Sequence, residues 1–304
     1  MSWLPHGRVP TSRRMWKTLL AAVAAFWAAV FMAGAAQARP PVWVVTDKDS
    51  ELVLFGSVHV LPPGMDWRPP ALTKALGAAD DLWFELPIDA NSEIETARLA
   101  AQLGVLGPDK SLYRMLTPDD VVLLNRVAAA YKVEPAMLDR FQPWLAEIAL
   151  AGAAYRKYGA AGADGVEKII AAAAPPSAAR RAFETPAEQL GFFSGAPLAD
   201  QLASLRQTLH EMEDKPDEFA LLLRAWMAGD LKTLDAEALA PLRKASPALF
   251  QRLVTDRNAR WAEKLDERLK GKGRTVVVVG VGHLIGEGSL PERLRALGYS
   301  VKGP

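Results

Sequence analysis

The hydrophobic and polar positions change period along the chain, and each change marks an element. Val42-Trp43-Val44-Val45 and Leu52-Val53-Leu54-Phe55 are apolar runs on either side of the polar turn Asp47-Lys48-Asp49-Ser50, the pattern of a β-hairpin. Pro69-Pro70 stands at the entry of a helix expected near residues 71–78. Leu82-Trp83-Phe84-Glu85-Leu86 reads as a short strand stopped by Pro87, with Asp80 and Asp81 as its solvated lead-in. From about residue 91 to 270 a helical spacing takes over. Thr117-Pro118-Asp119-Asp120 supplies an N-cap, a first-turn proline and two acids for the positive end of a helix dipole. Pro143 to Tyr158 continues as helix and ends at Gly159, and Ser246-Pro247 opens a long helix running to Lys270.

The C-terminal segment returns to strand and helix. Thr275-Val276-Val277-Val278-Val279 suits a strand covered on both faces. Gly280 to Gly288 is a glycine-rich loop, and Ser289 and Glu292 have the spacing of a capping box for a helix stopped by Gly298. Tyr299-Ser300-Val301 adds a last strand. The expected fold is α/β (α+β): a small mixed central sheet with Gly-x-x-His turns at strand ends and a large helical insertion over about residues 91–270. No stretch reads as a flexible linker, so residues 39–304 are expected to form a single domain.

Composition narrows the class. At 304 residues, 50% hydrophobic and 23% charged, the chain can bury a sizeable core. It has no cysteine, which excludes disulfide scaffolds, thiolate zinc sites and cysteine nucleophiles. Lys+Arg 36 against Asp+Glu 35 shows no basic excess, so no nucleic-acid partner is expected. Arg8, Arg13, Arg14 and Lys17 precede an apolar run from Leu19 to Ala36, and Ala36-Gln37-Ala38 is a small-x-small cleavage site. Residues 1–38 therefore read as a secretory signal peptide. The expected location is periplasmic or secreted, with membrane attachment only through an uncleaved leader.

Beyond the leader only His59, His210 and His283 remain. Two of them share one context: the runs 52–55 and 275–279 lead into Gly56-Ser57-Val58-His59 and Gly280-Val281-Gly282-His283, each followed by a loop and a helix. Ligands of α/β sheets bind at the carboxyl ends of strands, and a glycine there permits a sharp turn or close backbone approach. His210, among Glu211, Glu213 and Asp214, belongs to a solvated helix face. Glu85 is costly to bury without a partner. At a strand end it would bind a metal or act as a general base, the alternative being an edge-strand carboxylate in water. Arg257 and Trp261, four apart, share a helix face. Arg257 is expected to point into the cleft and orient Glu85 or a substrate carboxylate; the alternative is an ordinary surface ion pair.

These residues, with Phe183-Glu184-Thr185-Pro186-Ala187-Glu188-Gln189, Trp226, Gly229-Asp230 and Arg257-Asn258, resemble the TraB/GumN family in family order over nearly the whole mature chain. That family is related to the Tiki metalloproteases and, more distantly, to erythromycin-esterase-like and ChaN-like proteins. Ser57 stands where threonine is common in the family. Tiki-like members are regarded as metal-dependent proteases whose paired Gly-x-x-His motifs and glutamate carry the activity. The resemblance thus implies a hydrolase of peptide or amide bonds, with His59, His283 and Glu85 as ligands of a divalent metal (Zn²⁺, Mn²⁺ or Co²⁺) and a peptide or small-molecule substrate. Erythromycin-esterase-like members imply a second reading, a metal-free hydrolase with a histidine as general base. A third is a binding protein that captures a peptide or small ligand without turnover.

Overall fold

The computed structural model describes residues 39–159 and 165–304. The signal-peptide expectation falls on residues 1–38 and lies outside the described residues. No helix among the described residues is long and apolar enough to cross a membrane.

Six strands form one mixed sheet: β1 (Val42–Thr46), β2 (Ser50–Ser57), β3 (Asp81–Phe84), β4 (Ala179–Ala182), β5 (Gly273–Gly280) and β6 (Ser300–Lys302), in the order β4-β3-β5-β2-β1-β6. β1 pairs antiparallel with both β2 and β6, while β4, β3, β5 and β2 run parallel. The hairpin turn closes as its residue types require, with Asp47 Oδ1 accepting from the backbone N–H groups of Asp49 and Ser50. β5 is central, and Val276 to Val279 are almost wholly buried, as a strand covered on both faces requires.

The α-helices of seven residues or more among the described residues are α1 (Pro70–Gly77), α2 (Ala90–Gly104), α3 (Pro118–Ala130), α4 (Pro143–Lys157), α5 (Val166–Ala173), α6 (Pro186–Ser194), α7 (Leu198–Asp214), α8 (Glu218–Ala228), α9 (Asp256–Leu269) and α10 (Leu290–Ala296). One apolar core surrounds the sheet and takes in Trp226 and Trp261. A second, with Leu124, Leu138, Leu150, Leu205 and Leu209, holds the helical region together.

The structure departs from the expectations in four places. β4 lies within the span expected to be helical; it is an edge strand of two alanines and two arginines, mostly exposed, so it carries no alternating apolar signal. Asp81 is buried rather than solvated, because Arg268 and Thr275 and the Trp83 indole N–H all bond its carboxylate. Ser289 makes no side-chain cap; instead Glu292 Oε2 accepts from the Gly288 N–H at 2.8 Å. The full capping box is at Thr185 and Glu188, opening α6. Finally, the helix opened by Ser246 is not regular, since Gln251–Thr255 forms a π turn before α9 begins.

Candidate functional site

The sheet register brings both Gly-x-x-His turns to one place. β2 and β5 are neighbours, with Gly56 opposite Val279 and Ser57 opposite Gly280, so the two turns leave the same end of adjacent parallel strands. Gly56 is there for close approach: a Cβ on it would lie 2.9 Å from Val281 Cγ2, and its carbonyl accepts the Trp226 indole N–H at 2.7 Å. On the other side of β5, Glu85 follows the last residue of β3. The β3–β4 ladder continues one step further, with the Glu184 N–H bonded to the Glu85 carbonyl at 3.0 Å. Two carboxylates therefore stand side by side at the same sheet end.

Arg257 joins them. It is buried, and its Nη2 donates to Glu85 Oε2 at 2.6 Å and to Glu184 Oε2 at 2.8 Å, while Nε donates to Glu184 Oε1 at 2.8 Å. A planar guanidinium suits such a fork, which a point charge cannot copy. Leu253, inside the π turn, offers its carbonyl to Arg257 Nη1 at 3.1 Å; such widened turns recur at functional sites. Trp261, one turn on, donates to Glu184 Oε1 and lies under the guanidinium, 4.6 Å from its ring centroid. Arg257 thus orients Glu85, and it is no surface ion pair.

Glu85 is fully engaged. The Gly280 N–H donates to its Oε1 at 2.7 Å, and Gln189, carried by α6, donates to Oε2 at 3.2 Å. Burial alone would raise its pKa, but the charge of Arg257 above all, with that of His59 and the Gly280 N–H, holds it below the usual carboxylate range.

His283 is buried among Trp261, Asn258 and Arg257. The Asn258 side-chain N–H donates to the Gly288 carbonyl, so its oxygen faces His283 Nδ1 at 2.7 Å. Nδ1 is therefore the protonated nitrogen, and Nε2 presents its lone pair to Arg257 Nη1 at 3.2 Å. Burial, opposed by Glu85 and aided by Arg257, pushes the imidazole down to about 3, so His283 is neutral at ordinary pH.

His59 is different. Its side chain is 69% exposed, and Nδ1 lies 3.3 Å from Glu167 Oε1, which also accepts from Ser57 Oγ at 2.6 Å. The hydrogen bond to Glu167 raises the His59 pKa from its ordinary value. His59 and Glu85 line one cavity of about 220 Å³, with Glu167, Lys168 and Gln189. Glu167 is a member of the site that the sequence pattern does not single out. It lies 108 residues from His59 in sequence, and no local spacing signals the contact. His210 is exposed on α7 and takes no part in the site.

The donor set bears directly on a metal. With Nδ1 committed to Asn258, the ligating atom of His283 is Nε2, and both it and Glu85 Oε2 face the Arg257 guanidinium. A divalent cation between them would meet a permanent buried positive charge, so in this arrangement these side chains do not fit a ligand set.

A model of the TraB/PrgY/gumN family matches residues 41–303. The chain belongs to that family. Relatives are the uncharacterized protein YbaP of Escherichia coli K12 and that of Shigella flexneri. Each is 25% identical over 278 residues, covering 91% of this chain and 99% of the relative. No solved structure gives a significant match.

Proposed function

We propose that this member of the TraB/PrgY/gumN family is an exported hydrolase that cleaves an ester or amide by direct acid–base catalysis at His59. The observation that supports it most is the pairing of an accessible imidazole, held through Nδ1 by Glu167, with a buried Glu85–Arg257–His283 cluster at the ends of adjacent strands. A base oriented by a carboxylate is the general logic of hydrolytic sites. Neutral His59 takes a proton from water, whose oxygen adds to the substrate carbonyl carbon. The C–O or C–N bond then breaks, and the proton passes from His59 to the leaving alcohol or amine, giving a carboxylic acid as the second product. Glu167 and Glu85 favour the imidazolium formed on the way. Arg257 and His283 act as positioning residues that fix Glu85.

The metal-dependent reading, with His59, His283 and Glu85 around Zn²⁺, Mn²⁺ or Co²⁺, draws on the convergence of these three residues at one sheet end. It requires Arg257 to release both Glu85 and His283. Chelation separates the two. The mature chain is assayed on ester and peptide libraries after metal removal and after reconstitution with each ion. Activity should survive metal removal and fall about 10²–10⁴-fold in His59→Ala. Activity abolished by chelation and restored by one ion would overturn the metal-free reading. Saturable binding without turnover of any substrate would leave a capture protein instead.

A further inference from the structure

A second cavity, of about 420 Å³, is also lined by His59, together with the Gly280-Val281-Gly282 turn. Its far wall is helical, with Ala154, Tyr155 and Tyr158 at the end of α4 and its continuation, and Phe219 and Leu222 on α8. Tyr155 and Tyr158 pack their rings 5.0 and 5.2 Å from Phe219, which makes one continuous aromatic face.

Most of the polar side chains around this cavity already have protein partners. The Tyr131 hydroxyl donates to the Met212 carbonyl, and that of Tyr158 to Asp217 and the Pro216 carbonyl. Lys215 is paired with Glu237 and Glu218, and Glu211 accepts from Gln207. Thr208 bonds Glu147, and Ser57 bonds Glu167. A polar ligand would lose its water there and find few groups to replace it, whereas an apolar one loses nothing. The volume is that of an ordinary small-molecule site. The 220 Å³ cavity that His59 also lines carries Glu85, Glu167, Lys168 and Gln189 beside the apolar Phe84, Leu86 and Ile88.

We propose that the larger cavity is the subsite for an apolar acyl group, with the scissile carbonyl at His59 and the polar leaving portion over Glu85, Lys168 and Gln189. The inference rests on the hydrolase reading for its chemistry and on the cavity alone for its binding. It excludes short hydrophilic acyl groups as good substrates.

The test has a kinetic and a binding arm. Hydrolysis is measured on nitrophenyl esters and anilides carrying acetyl, butanoyl, hexanoyl, octanoyl or phenylacetyl groups, the last separating aromatic from aliphatic preference. In the wild type, kcat/KM should rise about fourfold for each buried methylene until the cavity is full. The rise should flatten in Ala154→Trp and in Ala151→Phe, Ala151 also lining this cavity from α4; both variants are checked for native circular dichroism. Binding of uncharged hexanamide against acetamide is followed by calorimetry in the wild type, His59→Ala and Ala154→Trp. Hexanamide binding that survives His59→Ala and disappears in Ala154→Trp supports the subsite even where no ester is cleaved, a result that would sink the hydrolase reading alone. A flat chain-length profile in an active enzyme, or no preference for hexanamide over acetamide, overturns the subsite.

Discussion

At the scale of single residues, Arg257 decides whether the sheet end can hold two carboxylates. Glu85 and Glu184 are both largely buried, and the guanidinium between them is their shared partner. Removing one member of a buried charged set leaves the others uncompensated, which costs about 3–5 kcal/mol. Arg257→Ala should therefore lower stability by about that amount in urea unfolding. Arg257→Lys keeps the charge but cannot span both carboxylates, so it should recover only part of the loss. A destabilisation within about 1 kcal/mol of wild type for the alanine variant would contradict this role, since exposed pairs give changes of that size. Trp261 and Asn258 extend the same logic. One bonds Glu184 and the other fixes the His283 tautomer, so α9 delivers three polar contacts to one point.

At the scale of elements, the first turn of α5 meets the end of β2, and there Glu167 acts on His59. A carboxylate in the first turn is favoured by the helix dipole, and here it also receives Ser57 and faces the imidazole. Glu167→Gln removes the charge, so the His59 pKa should fall toward its ordinary 6.5. If neutral His59 is the base, activity rises as pH climbs through that pKa, so the rising limb should move to lower pH in the variant. NMR titration of the His59 ring together with the pH–rate profile checks both; an unmoved titration would remove Glu167 from the mechanism. The elements also show what was legible beforehand. The two Gly-x-x-His turns could be read because glycine, histidine and strand lie within a few residues of one another, and parallel pairing then places them together. The shared face of Arg257 and Trp261 followed from helical spacing. β4 was not legible because an exposed edge strand of Ala179-Arg180-Arg181-Ala182 needs no apolar alternation. The π turn and the Glu167 contact were hidden for a different reason: both depend on tertiary packing and neither leaves a local pattern.

At the scale of the whole molecule, the buried charges give the fold a definite dependence on pH. His283 stays neutral down to about pH 3 in the native state, whereas an unfolded histidine takes up its proton near 6.5. Between those values the unfolded chain binds more protons, so stability falls as pH falls, by up to about 1.4 kcal/mol per pH unit for one group. Glu85 adds to this only below its ordinary 4.5, where its depressed pKa begins to matter as the unfolded chain protonates. In the interval from about 6.5 to 4.5 His283 is the group that drives the decline. Glu147, whose carboxyl is pushed up by burial although Ser204 and Thr208 bond it, acts with the opposite sign above 4.5. His59 has a raised pKa, so its contribution is present below 6.5 and fades as pH rises beyond it, weakly because the ring is exposed. Stability should accordingly peak near pH 6.5 and decline toward acid. The urea midpoint followed across that interval, in the wild type and in His283→Gln, isolates the term: the variant, with no imidazole to protonate on unfolding, should lose most of the decline between 6.5 and 4.5. An equal decline in both chains would mean that His283 is protonated in the native state, and the Nε2 lone pair facing Arg257 would then be wrongly assigned.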